Sequence, residues 1–486
     1  MTTDEQRFAE LRRRLGEVDD LRKASWVLYW DLETMMPPAG AEVRAEQLGT
    51  LAGIAHERFT ADDLGELLEE LRGYESDLDY ESDEASVIRV ARRDFERARR
   101  VPAKLQAEMV RAGAHGNQAW KSAREANDYD LFRPALERNL ELQGRYVECF
   151  DGASDPYDVL VAEYEPGLTT ADIAALFEPL RDELPALVAG LESPDDDPLD
   201  LGLSDAERGP VVERVLAELG FDSEWGRVDT SVHPFMINFG TRDIRLTIYD
   251  DGDLRTLYAA LHEFGHGLYE RGVSPTLERT LLAHGASGAL HESQSLLWEN
   301  LVGRSSQFCN WLAGHLGGVE AESLYRAVNR VERSLIRVDA DPVTYSLHIV
   351  FRFDLERELV SGALAPADLR DAWNTRVAEY LGLDVPDDLN GVLQDMHWSD
   401  RLMGYFPSYA LGHIASAQIW ELATADLPDL DEQIGRGEFG ALTEWLRERV
   451  HQHGRKFTTP ETLERAVGAG FDPEPLLRQV RQKLES

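Results

Sequence analysis

The 486-residue chain carries 90 acidic against 50 basic residues, a formal net charge of -40, and 43% of its residues are hydrophobic. So large a negative charge excludes nucleic acid and an anionic membrane as partners, while the apolar fraction is enough to bury a large core. No window approaches ~18 uninterrupted apolar residues, and the N-terminus, MTTDEQRFAELRRRLGEVDD, has no apolar signal core, so a soluble, unexported, cytoplasmic protein is expected.

In chain order, the first part, about residues 1–190, reads as helical. Cys149 and Cys309 are far apart and each sits in an apolar, helix-like context. That argues against a disulfide framework or a cysteine metal site and fits core packing in a reducing compartment. Residues 192–208, ESPDDDPLDLGLSDAER, read as a polar connector, and 382–390, GLDVPDDLN, as a second. The clearest strand candidates are SVHPFMINFG and DIRLTIY, where β-branched and aromatic residues cluster. From there the 3.6-residue apolar period returns in TLYAALHEFGHGLYE, HESQSLLWENLV and YALGHIASAQIWELA. With no repeat or heptad run, the pattern predicts one mainly α domain over 1–486, its catalytic part about 209–486, folded around a groove with a small β-sheet beside it.

Within the first of those helices, started by Asp250–Asp251 and stopped at Gly272, stands His262-Glu263-Phe264-Gly265-His266, an HExxH pattern. At ~100° and ~1.5 Å per residue the two histidines share one face and reach one cation, while Glu263 flanks them and reaches water at the metal. Two histidines and a glutamate on a helix also occur as surface or satisfied core residues. Yet this helix is strongly apolar, where unpaired imidazoles are costly without a metal or hydrogen-bond partners. A catalytic zinc needs a third protein ligand. The extended HExxHxxGxxH pattern fails because Tyr269 and Gly272 stand where Gly and His are required. Glu292, 26 residues after His266 in His291-Glu292-Ser293-Gln294-Ser295, is the best third ligand.

Together with these motifs, the chain contains His233-Pro234-Phe235, Asp243-Ile244-Arg245-Leu246-Thr247, Ile336-Arg337-Val338-Asp339-Ala340-Asp341 and GVLQDMHW over Gly391–Trp398. In that order they resemble the HPF, DxRxT, HExxH, HES, IRxxAD and GxxQDxHW motifs of the carboxypeptidase Taq family of thermostable zinc metallocarboxypeptidases, a likeness covering nearly the whole chain. The resemblance implies a mostly α fold with a deep groove, usually a homodimer, and removal of single residues from peptide C-termini with broad preference. It implies zinc, one ion per subunit, at His262, His266 and Glu292; the residues themselves leave cobalt or another divalent ion open.

On that reading Glu263 is general base and then acid for the attack of metal-activated water on the last peptide bond. The MHW and GYF stretches resemble the histidine and tyrosine donors of the angiotensin-converting enzyme and related groove-shaped peptidases, so His397 and Tyr405 are candidates to stabilise the oxyanion, with Tyr409 competing. A guanidinium suits the substrate's free carboxylate; Arg337 is the first choice and Arg352 the second. Asp243 and Arg245 alternate on a strand and are expected to brace the groove by pairing, and His233, before a proline, to lie extended near the groove. Peptides are the expected partners. An internally cutting oligopeptidase, or a non-enzymatic peptide-binding relative, would use the same groove.

Lysine occurs only at Lys23, Lys104, Lys121, Lys456 and Lys483. Arginine dominance with a strongly acidic surface reads as adaptation to high salt, where the Debye length falls to ~3 Å and self-repulsion is screened; a GC-rich genome favouring arginine is the plain alternative. The unfolding midpoint is therefore expected to rise from dilute buffer to molar KCl, and an unchanged midpoint would overturn the halophilic reading.

Overall fold

The computed structural model describes residues 2–191, 205–249 and 254–485. Among them are 21 α-helices and one three-stranded sheet, the mainly α architecture anticipated. The helix-start signal at Asp250–Asp251 and the connector over 192–204 lie outside the described residues, and the connector is shorter than expected because a helix already runs from Asp205 to Glu218. The stretch 382–390 has no regular structure, in keeping with its glycine, proline and aspartates. No described helix is long and apolar enough to cross a membrane.

Apolar packing runs across the connector rather than stopping at it. Ile173, Phe177, Leu180 and Leu184, which precede it, share a core with Leu347, Phe351, Phe353, Leu411 and Ile414, which follow it. Likewise Leu11, Leu15, Phe59 and Ile88 of the N-terminal helices pack on Val273, Leu277 and Leu282, just beyond the HExxH helix. Both cysteines are free; Cys309 is buried in a second core and Cys149 packs partly buried against the first.

Three helices carry the centre of the molecule. The HExxH helix spans Leu254–Gly272 and ends where expected. The HES helix spans Gly288–Leu296, capped by Ser287, whose hydroxyl accepts from the Leu290 N–H at 3.2 Å, and runs straight into a π-helical turn at Leu297–Val302. The central helix, Phe406–Asp426, opens with Pro407 in its first turn and is apolar on nearly every side, which is why it is buried on nearly every side. These helices approach at glycines. A Cβ on Gly265 would lie 2.4 Å from the Gln294 carbonyl oxygen, and one on Gly412 would lie 2.6 Å from the Glu292 Cβ. Glycine is required at both positions because no side chain fits between the backbones.

The sheet has the order β1-β3-β2, with β1 Gly226–Thr230, β2 Met236–Gly240 and β3 Asp243–Ile248; β3 is parallel to β1 and antiparallel to β2. The sequence reading missed β1, whose GRVDT offers one apolar residue and no buried alternation. The first strand candidate is also shorter than expected, since the chain bends around His233 and Pro234 before pairing begins. On β3 the period of two sends Ile244, Leu246 and Ile248 into the core. Ile244 and Leu246 come within contact range of Gly267, so the sheet backs the HExxH helix. Asp243 and Arg245 pair at 3.0 Å, and the Arg245 guanidinium lies 4.6 Å over Trp30, joining the sheet to the first helix, Thr3–Thr34. Thr247 accepts from the Phe235 N–H at 2.9 Å and bonds the Ser231 hydroxyl at 2.7 Å, so DxRxT holds the HPF segment through its threonine.

His451, buried in the turn His451–His453, bonds Gln294 of the HES helix through Nε2 at 2.9 Å. Burial, with His291 and Arg447 adding repulsion, lowers its pKa to about 3. A folded value below that of the unfolded chain means that the unfolded state takes up the proton first, so this contribution is complete above pH ~6.5 and is lost as pH falls. Thermal unfolding followed from pH 7 to 5 is expected to show a shallower pH dependence in His451→Gln than in the parent; equal slopes would refute it.

Candidate metal centre

The close helix approach brings His262, His266 and Glu292 together, with one ligand atom from each lying within 4.8 Å of the others. His262 Nε2 is 3.8 Å from Glu292 Oε1 and His266 Nε2 is 3.7 Å from Glu292 Oε2, so both imidazoles turn the same nitrogen towards one carboxylate. The His262 side chain is 25% exposed, which leaves the cluster open on one side. Burial by itself would lower the His262 pKa, but Glu292, Glu299 and Glu263 raise it to about 10. The protein field at this point favours positive charge, and the donor set is that of a divalent metal site. Glu263, from the same helix, is pushed up to about 7, mainly by burial and further by Glu292 and Glu299, against the opposing pull of His262 and His291. It stands as a carboxylate near neutrality beside the metal ligands.

Behind each imidazole is a partner that the sequence reading did not name. Glu299, in the π-helical turn, meets His262 Nδ1 at 2.9 Å and is braced by Arg304 at 3.2 Å. Burial opposes its ionisation, but the His262 contact outweighs it and holds the carboxyl below its usual range. His291 meets His266 Nδ1 at 2.7 Å through its own Nδ1, and its Nε2 is 2.8 Å from Glu270. If His266 offers Nε2 to a metal, its Nδ1–H donates to His291 and the Nε2–H of His291 donates to Glu270. Glu270 also accepts from the Gly285 N–H at 2.9 Å and from Asn238, whose side chain in turn accepts from the buried Lys23. Sequence spacing carried both signals: Glu270 lies four residues after His266 and Glu299 seven after Glu292, one and two turns along the same faces.

The candidate substrate residues gather around Asp395. Arg337 gives its Nε to Asp395 Oδ1 at 2.9 Å and its backbone N–H to Gln394 at 2.9 Å, with its guanidinium 4.8 Å over the Tyr409 ring. Arg352 lies a layer behind. It is 0% exposed, and it donates to Asp395 at 2.7 Å, Gln394 at 2.7 Å and the His348 carbonyl at 2.8 Å. Burial works against the Asp395 charge, yet the two arginines hold its carboxyl far below the usual range. His397 Nε2 meets the Tyr409 hydroxyl at 3.1 Å, and its ring stacks on Phe406 at 4.3 Å. Burial and the nearby arginines lower the His397 pKa to about 3 despite Asp395, so its imidazole is neutral. Tyr405 and Tyr409 meet edge to face at 5.1 Å, with Tyr405 also edge-on to Tyr164 at 5.0 Å. His233 is exposed in the bend before β2, its carbonyl held by the Ser231 hydroxyl at 2.6 Å.

Carboxylates behind ligating histidines fix ring orientation and raise donor strength. Glu299→Ala is expected to weaken metal affinity by ~10–100-fold in competition with a chelator, and parent-level affinity would show that the contact is incidental.

The carboxypeptidase Taq (M32) metallopeptidase family matches residues 10–484. Thermostable carboxypeptidase 1 of Thermus thermophilus is 36% identical across 99% of this chain and 99% of its own, and carboxypeptidase 1 of Bacillus subtilis is 33% identical across 100% and 98%. The crystal structure of an M32 carboxypeptidase from Deinococcus radiodurans R1 matches with a TM-score of 0.93 at 39% identity, covering 99% of each chain. The chain therefore belongs to the carboxypeptidase Taq (M32) metallopeptidase family and is a peptide-hydrolysing metallocarboxypeptidase.

Proposed function

We propose that the protein is a zinc carboxypeptidase that releases single residues from peptide C-termini with broad side-chain tolerance. The observation that carries this reading is the convergence of His262, His266 and Glu292 beside Glu263, with Arg337 near the same carboxylate. Two imidazoles and one carboxylate are the donor set of hydrolytic zinc sites, and cobalt or another divalent ion takes the same donors. His262, His266 and Glu292 would hold the zinc, which would supply Lewis-acid chemistry, lowering the pKa of a water towards ~7 and polarising the scissile carbonyl.

The chain's own groups supply the remaining steps. Glu263 removes the proton from the attacking water and returns it to the leaving amine. Arg337 receives the terminal carboxylate of the peptide, which fixes the scissile bond one residue from the end; its hold on Asp395 and its seat over Tyr409 support this role. Neutral His397 and the Tyr405 hydroxyl donate to the oxyanion as it forms, and Tyr409, bonded to His397, keeps that imidazole in place. Arg352 serves by holding Asp395.

Mass spectra of a digested peptide are expected to show a ladder of single-residue losses from the C-terminus, abolished by chelator and restored by zinc. Glu263→Gln is expected to cut turnover by ~10²–10⁴-fold with metal still bound. Internal fragments or dipeptide release would overturn the exopeptidase reading, and near-parent turnover in Glu263→Gln would overturn the role of the base.

A further inference from the structure

Glu356 lies on the helix Tyr345–Ser361 and is 0% exposed. Among the described residues no cation stands within ion-pair distance of it, although burying a carboxylate without a counter-ion is costly. Three donors meet it instead. The Tyr157 hydroxyl donates at 2.5 Å, the Trp398 Nε1–H donates to Oε1 at 2.8 Å, and the Gly404 N–H donates to Oε2 at 3.0 Å.

Two of these donors are the inner neighbours of His397 and Tyr405, so one carboxylate grips both ends of the segment 397–405. The rest of the packing agrees with that function. The His397 carbonyl accepts from the Leu402 N–H at 2.8 Å, closing the segment on itself. Asn139 reaches the Trp398 and Ser399 carbonyls at 3.0 Å each from the outside. Gly404 has φ +90, and a Cβ there would lie 2.8 Å from the Leu160 backbone carbon, so the second grip point is a bare backbone N–H. Bonds to a carboxylate are roughly twice as strong as neutral ones, and both of its oxygens accept. A glutamine would turn an N–H towards one of the three donors.

We propose that Glu356 is a positioning residue of the catalytic reaction, setting the separation of His397 and Tyr405 by binding Trp398 and Gly404 with the two oxygens of one carboxylate. The proposal rests on the reading of His397 and Tyr405 as oxyanion donors. Donors displaced by ~1 Å forfeit up to ~10²-fold in rate without a matching loss in ground-state binding.

The test is a double-mutant cycle on the metal-loaded enzyme with a peptide substrate. Glu356→Gln is expected to lower kcat by at least ~10-fold with KM and metal content near the parent values, and to cost less than ~2-fold in a His397→Ala background, since coupled residues are not additive. A kcat near that of the parent, or an equal loss in both backgrounds, overturns the proposal. If Glu356→Gln does not fold, Trp398→Phe removes one grip and leaves the carboxylate with its other donors; it is expected to lower kcat at unchanged KM, and a parent-level kcat again overturns the proposal. Parent-level kcat in both His397→Ala and Tyr405→Phe overturns the donor reading and this proposal with it. Impairment of those two with Glu356→Gln unaffected overturns this proposal alone.

Discussion

The metal centre depends on two places where helix backbones touch. Gly265, inside HEFGH, lets the HExxH helix close on the carbonyl of Gln294, and Gly412 lets the central helix close on Glu292. Ordinary side chains there would hold the helices apart by the width of a methyl group or more. The donor atoms of His262, His266 and Glu292 would then no longer fall within reach of one ion. The chemistry is thus set by the absence of side chains at two positions that carry no chemistry themselves.

Around that contact the protein builds its polar interior in pairs. Each ligating imidazole is backed at Nδ1, His262 by Glu299 and His266 by His291 with Glu270 behind it. This leaves both Nε2 atoms turned towards Glu292 and fixes the tautomers needed for ligation. The second pair is Asp395 between the buried Arg337 and Arg352: both guanidiniums keep the aspartate charged, and the aspartate in turn orients them. Buried charge of this kind contributes little net stability, and its physical return is orientation. Glu270 extends the first network through Asn238 to Lys23, which connects the first helix to the metal centre.

The charges of the surface and those of the site are arranged differently. Outside the centre some arginines pair with carboxylates one helical turn away, as Arg13 does with Glu10 and Arg447 with Glu444, and others with distant segments, as Arg279 does with Asp20, in exposed contacts worth little individually. Inside, the charges of His262, Glu299, Glu270 and Asp395 each meet a partner in the protein.

Much of this was legible in the sequence. The apolar period gave the helices, and the alternation of DIRLTI gave β3. The four-residue spacing of HExxH put two imidazoles on one face because helix geometry is local. The position of Glu292 after the HExxH helix pointed to it as third ligand, and the family motifs pointed to Arg337. What only the tertiary structure decided was which side chains stand behind others. Arg337 and Arg352 look alike in sequence, both being arginines in apolar surroundings, yet one sits over Tyr409 and the other is sealed beneath Asp395. Glu299 and Glu270 stood at helical spacing from the motif residues, but the burial of Glu356 was hidden for the same reason: a carboxylate in a helix reads as a solvated face until packing from distant segments removes the water. Spacing along one element reports its faces, whereas burial and partnership are properties of the elements that close over it.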